Sequence, residues 1–371
     1  MNTTIINVGI IGLGEVAQVI HLPVLDSLPG QYKIVALCDI SPQLVAAMGE
    51  KYRVTNLYTE ASELVKQADI DAVFVLNSDE YHAECVIAAA NEGKHVLVEK
   101  PMTLTQSEAD AIIEARDRNN VKVMVGYMRR YAAAFEEAVK EIGGFDNIHY
   151  IRVRDIIGPN SFFVQQSSNV LTFHDIPDEL KEDKRVRAER LVKEATGLDA
   201  SSPYSSLYRL LCGLSSHDLS AMRELIGMPK RVIGSKLSEI PTASGGNFLS
   251  SILDYGHFGV TFETGVDAQG RFDAHIELYS STKSVRIQYN SPYIRHLPTE
   301  LHIVETAGET FKQSVVRPTL TDPYTRELRY FYDAITKGTE IKTTPEDYKN
   351  DLAIFKMIID SLIAQEAAAA V

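Results

Sequence analysis

Cysteine is scarce in this 371-residue chain: Cys38, Cys85 and Cys212 show no CxxC spacing and no histidine cluster. That argues against a disulfide framework or a zinc site, and reduced thiols in the cytoplasm are the simplest reading. Basic charge is also short, with 37 lysines and arginines against 50 acids and a net charge of −13. A nucleic-acid surface, which needs cations to displace condensed counterions, is therefore not expected. No apolar run approaches the length of a membrane span. The first residues lack a signal peptide's basic flank and cleavage site, because Asn7 and glycines interrupt the run from Ile5 to Leu13. Low complexity is confined to the alanine-rich tail after Gln365. What remains is a globular chain with a small-molecule partner, long enough for two domains each with its own core.

Two textures divide it. Up to about residue 127, apolar runs alternate with helical stretches. Strands are expected at Ile5 to Ile11, Lys33 to Cys38, Ala72 to Leu76, His95 to Val98 and Lys122 to Val125, with helices at Pro42 to Lys51, Ser62 to Gln67, Tyr81 to Asn91 and Gln106 to Arg118. Thr105 and Glu108 form a capping box for the last of these. The alternation implies βαβ units and a doubly wound parallel sheet. After Gly143 the runs alternate polar and apolar residues at His149 to Arg154, Arg231 to Leu237, Leu249 to Leu253, Gly259 to Phe262, His275 to Tyr279, Val285 to Tyr289 and Leu301 to Val304. Such runs predict an open, mostly antiparallel sheet with helices on one face, so the fold class is α/β followed by α+β. The expected domains are 1–127, 128–344 with a long insertion at 158–211, and a closing helix over 345–371. Within the insertion, the charged stretch Asp178 to Glu194 reads as an exposed helix with a solvated face. Thr344 and Pro345 mark the start of the closing helix.

Gly12-x-Gly14-x-x-Ala17 sits between a predicted strand and a helix. Gly12 permits a tight turn, Gly14 lets backbone approach a pyrophosphate, and Ala17 keeps helix and strand close. The amides of Leu13, Gly14, Glu15 and Val16, with the helix dipole, would hold the phosphates. Asp39 ends the second strand, where a carboxylate accepts from adenosine ribose hydroxyls and repels a 2′-phosphate. Ile40, Ser41 and Pro42 follow it without a base, so NAD is favoured over NADP. Glu99-Lys100-Pro101 lies at the carboxyl end of another predicted strand, the ligand-binding edge of such sheets. A lysine there can hold a substrate hydroxyl and lower its pKa, and Pro101 restricts Lys100 to extended geometry.

The stretches VGIIGLGEVAQVIHLPVL, HVLVEKPMTLT, VGYMRRY, GLSSHDLSAMRELIG and TPEDYKNDLAIFKMIIDSLIA resemble, in order, landmarks of the glucose-fructose oxidoreductase, inositol dehydrogenase and MocA family. The resemblance covers nearly the whole chain except Gly158 to Leu211. It implies a Rossmann domain followed by an open-sheet domain, NAD or NADP as cofactor, oxidation of a secondary alcohol on a sugar, cyclitol or glycoside, and a homodimer or homotetramer. The closing helix would pack onto the first domain. Residue by residue, it implies that Lys100 touches nicotinamide ribose and substrate, that Asn77, Ser78, His82 and Glu99 lie at the cofactor, and that Tyr127 and Arg129 floor the substrate cleft.

His217 is the implied general acid/base, an imidazole being able to take the alcohol proton near neutral pH. Family members commonly carry an aspartate four residues before this histidine and often another three after it. This chain has Gly213 and Ser220 there. Ser215-x-x-Asp218 instead fits a capping box. Lys100 and His217 are thus the expected catalytic pair, with no metal. Two other readings stay open: an enzyme that recycles tightly held NAD through transient oxidation, as in glycoside cleavage or epimerisation, and a regulator that keeps the dinucleotide fold without turnover.

Overall fold

Short aliphatic runs ending in a glycine or an acid form the first sheet. Its strands are β1 (Ile6–Ile11), β2 (Tyr32–Cys38), β3 (Asn56–Tyr58), β4 (Ala72–Val75), β5 (His95–Glu99) and β6 (Val123–Gly126), all parallel, in the order β3-β2-β1-β4-β5-β6. Val8, Ile10, Val73, Phe74 and Leu97 have no exposed surface, which explains why these strands read as continuous apolar runs. Strand order reverses at β1 and β4, so their carboxyl ends form the ligand-binding edge of a doubly wound sheet. Phe74 anchors the core through edge-on contacts with His21, Tyr32 and Phe331, centroids 5.9–6.1 Å apart. Thr105 caps helix Gln106–Asn119 as expected, accepting from the Glu108 amide at 3.2 Å.

The computed structural model describes residues 4–143, 147–239 and 247–369. They form two compact units: Met1–Tyr127 with Ser168–Ser205 and Glu327–Leu352, and Met128–Ser167 with Ser206–Arg326 and Ala353–Val371. The boundaries differ from the simple succession read in the sequence, because most of the insertion is fastened to the first sheet's unit. The charged helix Asp178–Thr196 has a docked face as well as a wet one. Tyr81 donates to Asp183 at 2.6 Å, the Arg187 guanidinium lies 4.3 Å from the Tyr81 ring centre, and Arg187 pairs with Glu84 at 2.9 Å. The closing helix Pro345–Ala369 is divided between the units. Its first turns belong to the first, where Thr344 caps the Asp347 amide at 3.2 Å, Glu346 accepts from Arg116 at 2.7 Å and Tyr348 donates to the Thr103 carbonyl at 2.5 Å. Among the described residues no helix is long and apolar enough to cross a membrane.

The second unit is built on eight strands: β7 (Tyr150–Ile157), β8 (Arg231–Glu239), β9 (Asn247–Asp254), β10 (Gly259–Val266), β11 (Phe272–Tyr279), β12 (Lys283–Tyr289), β13 (Glu300–Ala307) and β14 (Thr310–Val316). Their order is β14-β13-β12-β11-β7-β10-β9-β8, antiparallel except between β7 and β10. Ile151, Val153, Val260, Phe262, Ile276 and Leu278 face the core, and helices Ala133–Ile142 and Ser216–Ile226 lie against the sheet. The other face carries charge, with Glu263 bridging Arg152 at 2.9 Å and Arg154 at 2.8 Å, and Arg154 reaching Asp273 at 3.1 Å.

Period-two alternation places Asp155 on the same face as Ile151, Val153 and Ile157, so a carboxylate enters this core with no exposed surface. Arg129, itself 3% exposed, meets it at 3.3 Å and also pairs with Asp218. The guanidinium lies 4.9 Å from the Tyr289 ring centre. Burial pushes the Asp218 carboxyl well above the usual range; Arg129 pulls the other way, while the charge of Asp155 and a hydrogen bond to it raise it further. One cation thus sits between two buried carboxyls.

Removing the cation leaves buried charge unpaired, so Arg129→Met should lower unfolding free energy by about 3–5 kcal/mol. Asp218→Asn, which mimics the protonated acid, should cost about 1 kcal/mol or less. A carboxyl with a raised folded pKa contributes stability below its unfolded value of about 4, and that contribution is lost as pH rises through the folded value. Urea titrations of the wild type should therefore show such a loss, and Asp218→Asn should lack it. Equal stability of Arg129→Met and wild type would show that the guanidinium is not part of the core.

Candidate functional site

The turn after β1 is set by sterics. Gly12 has φ +91°, and a Cβ on it would lie 2.4 Å from the Asn77 nitrogen, so only glycine fits. Its amide donates to the Cys38 carbonyl at 2.8 Å, and the Leu76 amide donates to the Ile11 carbonyl at 2.7 Å. The carboxyl ends of β1, β2 and β4 are thereby tied together. Gly14 is the converse case: it is exposed, and a Cβ there would meet nothing within 4 Å. A helix begins at Glu15, aiming its dipole and first-turn amides toward that open space. Backbone that can be approached closely, at a helix start on a parallel sheet's carboxyl edge, fits a dinucleotide's pyrophosphate.

Asp39 is half-buried at the end of β2 and braces this turn, accepting from the Leu13 amide at 2.8 Å and the Ser41 amide at 3.0 Å. Each oxygen keeps a second lone pair, so the carboxylate can still receive ribose hydroxyls. Two further residues hold the loop, and sequence reading did not single them out. The Gln18 side chain, 4% exposed, donates to the carbonyls of Leu13 at 2.8 Å and Leu171 at 3.0 Å and accepts from the Leu171 amide at 2.9 Å. Asp175 reaches the helix after Asp39, taking the Ser41 hydroxyl at 2.6 Å and the Gln43 amide at 2.9 Å. No local pattern signals contacts across more than 130 residues.

At the carboxyl end of β5, Lys100 is half-buried and the Lys100–Pro101 peptide is cis. Glu99 is placed differently from the expected cofactor contact. It is 5% exposed, bonded through one oxygen to His21 Nε2 at 2.8 Å and through the other to the Lys100 amide at 3.0 Å. Burial alone would raise its pKa, but the His21 hydrogen bond, the charges of His21 and Lys100 and the Lys100 amide bring it below the ordinary value. Glu99 therefore positions Lys100.

His82 differs in the same way. It is buried, with Nδ1 2.8 Å from the Pro101 carbonyl and Nε2 3.0 Å from the Asn77 carbonyl. Burial lowers its pKa, against Asp79 and the two carbonyls, and the ring sits between the Asn77 turn and the Pro101 loop with each nitrogen facing a protein carbonyl. Asn77 and Ser78 are half-buried beside Gly12, and Ser78 precedes the turn Asp79–Tyr81.

Tyr127 and Arg129, expected on a substrate-cleft floor, are committed to protein partners. Tyr127 donates to Asp351 at 2.6 Å, and Arg129 lies among Asp155, Asp218 and Tyr289. The capping box read into Ser215 and Asp218 does not form. Ser215 donates to the Thr264 hydroxyl at 3.0 Å because the preceding π-turn, Leu211–Ser215, already leads helically into Ser216–Ile226. His217 lies in that helix and is 7% exposed. At Gly213 a Cβ would meet nothing within 4 Å, so packing does not demand glycine where the family commonly has aspartate. Among the described residues no group of three or more histidines, cysteines or acids could hold a metal.

Comparison with known proteins agrees with this geometry. Residues 6–127 match the model of the oxidoreductase family with an NAD-binding Rossmann fold. A myo-inositol 2-dehydrogenase of Thermotoga maritima is 32% identical over 176 residues, covering 45% of this chain and 52% of that protein. Thus the chain spans only about half the length of such curated relatives. The scyllo-inositol 2-dehydrogenase (NADP(+)) IolW of Bacillus subtilis is 24% identical over 96% of this chain and 93% of its own. In fold, the aldose-aldose oxidoreductase of Caulobacter crescentus matches with a TM-score of 0.71 at 19% identity, covering 98% of each chain. Over residues 6–127 the chain carries the NAD-binding Rossmann domain of the glucose-fructose oxidoreductase, inositol dehydrogenase and MocA family of oxidoreductases.

Proposed function

We propose that this protein is an NAD-dependent dehydrogenase acting on a secondary alcohol of a cyclitol, sugar or glycoside. The observation that carries this reading is the arrangement on one sheet edge: the left-handed Gly12, the open approach at Gly14, Asp39 at the end of β2 and Lys100 at the end of β5. Relatives named as inositol dehydrogenases support the alcohol substrate. Bound NAD would supply the hydride acceptor.

The chain's own residues supply the rest. Asp39 receives the adenosine ribose, and the amides around Gly14 receive the pyrophosphate. Lys100, held by the Glu99 carboxylate through its own amide, orients the substrate hydroxyl and stabilises its developing negative charge. His217 accepts the hydroxyl proton while the carbon–hydrogen bond breaks, giving a ketone. Exposed Ile233 and Ile252 on β8 and β9, and Phe311 and Val315 on β14, leave apolar surface on the second sheet and support a homo-oligomer. A second reading, in which NAD stays bound through the cycle, is favoured by one observation: Leu171 is fastened to Gln18 beside the glycine turn. NAD that survives purification with the protein and sustains turnover without added cofactor would establish it.

NADH formation measured on a panel of inositols, sugars and glycosides tests the main reading. Lys100→Ala and His217→Ala should each lower kcat/KM by about 100-fold or more on any substrate the wild type oxidises. Turnover comparable to wild type removes that residue from the mechanism. The two glycines should separate folding from binding. Gly12→Ala should be strongly destabilised, because both its dihedral and its neighbour oppose a methyl group. Gly14→Ala should unfold at the wild-type urea midpoint yet bind NAD more weakly by calorimetry. Unchanged affinity in Gly14→Ala would place the pyrophosphate elsewhere.

A further inference from the structure

Asp175 lies 134 positions after Ser41, in a segment that local motifs do not link to the first sheet. Both of its oxygens are nonetheless seated at the start of helix Pro42–Tyr52. One accepts the Ser41 hydroxyl at 2.6 Å and the other accepts the Gln43 amide at 2.9 Å. Ser41 is the N-cap of that helix, accepting from the Leu44 amide at 3.1 Å, and Pro42 occupies the first turn. A helix start with a hydroxyl and a forward-pointing amide is a natural anion site. Here a carboxylate of the chain itself fills it. Those hydrogen bonds hold Asp175 below the ordinary carboxylate range, so it is an anion at neutral pH.

The location matters because the Ser41 amide also donates to Asp39 Oδ1 at 3.0 Å. In the reading above, Asp39 receives the adenosine ribose. A phosphate on the 2′-oxygen would extend from that ribose toward the element following β2, where it needs amides, hydroxyls or bases. Ile40 and Pro42 offer none of the bases, and the Ser41 hydroxyl and Gln43 amide are already engaged. The segment carrying Asp175 is secured four residues earlier, where Leu171 and Gln18 exchange two hydrogen bonds, at 3.0 and 2.9 Å. The carboxylate is therefore held in place from both ends of a short strap.

We propose that Asp175 is a second cofactor-specificity residue: it occupies the anion site that the 2′-phosphate of NADP would need, and with Asp39 it sets two negative charges against that phosphate. The selection is by exclusion, which is how specificity between otherwise identical ligands is commonly built. This inference rests on the dinucleotide reading and on Asp39 facing the adenosine ribose.

The test is calorimetric titration of the full-length protein with NAD and, separately, NADP, reading the ratio of the two dissociation constants. Wild type should favour NAD. Asp175→Asn, which keeps the shape and removes the charge, and Asp175→Ala, which empties the position, should each shift the ratio toward NADP by about tenfold or more. Asp39→Ser combined with Asp175→Ala should shift it further. A ratio unchanged in both single variants, even if both affinities fall together, would make Asp175 an anchor for the strap and overturn the proposal. A wild type that prefers NADP would overturn it too. A wild type that binds neither nucleotide would overturn the dinucleotide reading itself, a failure distinct from an unchanged ratio. Urea midpoints for each variant confirm that the ratios come from folded protein.

Discussion

The close approach of Gly12 to the Asn77 backbone is the constraint from which the rest of the first unit follows. With no side chain at residue 12, the end of β1 can sit against the end of β4, and the Gly12 amide can turn to meet the Cys38 carbonyl of β2. Three strand ends are thus fixed at one place. Asp39, one residue past β2, is then within reach of the Leu13 amide, and Asn77, one residue past Leu76, has its carbonyl against His82. The same His82 ring lies against the Pro101 carbonyl, so the loop after β5 is positioned from the glycine turn through this one imidazole. A methyl group at residue 12 would disturb Asp39 and the lysine loop together.

Both units bury charge, and each does so with its partner already supplied. In the first, Glu99 faces His21 and the Lys100 amide. In the second, Arg129 faces Asp155 and Asp218. Buried ions are costly unless paired, and removing one partner costs far more than replacing the set with apolar residues. Such groups therefore fix geometry more than they add stability. Glu99 fixes the backbone from which Lys100 extends, and Arg129 fixes the start of the helix bearing His217 through its neighbour Asp218.

Local pattern made the parallel sheet, the glycine turn, the capped helices and most of the second sheet legible. Continuous apolar runs, period-two alternation and cap residues each report a physical requirement that acts over a few residues. β3 and β14 escaped that reading because Asn56–Tyr58 is only three residues long and Thr310–Val316 is an exposed edge with little apolar alternation. Among site residues, Gly12, Gly14, Asp39 and Lys100 lie on the edge the motifs indicated. What motifs do not carry is how each side chain is used. Glu99 and His82 match the family's landmarks, yet their bonds are to His21, Lys100, Pro101 and Asn77. Asp155 was detectable in principle, as an acid in register with Ile151, Val153 and Ile157. Asp175 and the Gln18–Leu171 pairing were not, since those partners lie over 130 residues apart.

As proposed, the strap also ties cofactor choice to local order. Its two attachments use different chemistry: at Gln18 a side-chain amide completes a backbone pair, and at Ser41 a carboxylate satisfies a helix start. Only the second competes with a phosphate. An anion able to displace Asp175 would leave that carboxylate without the hydroxyl and amide that now hold it, and would stand beside Asp39 as well. Binding free energies are reciprocal, so whatever the displaced strap loses must be supplied by the incoming phosphate. A ligand ending in a free 2′-hydroxyl asks for no such exchange: it can approach Asp39 while the strap keeps both attachments. On the proposed reading, the same contacts that order residues 171–175 weigh against the phosphorylated cofactor, with no base needed to read the difference.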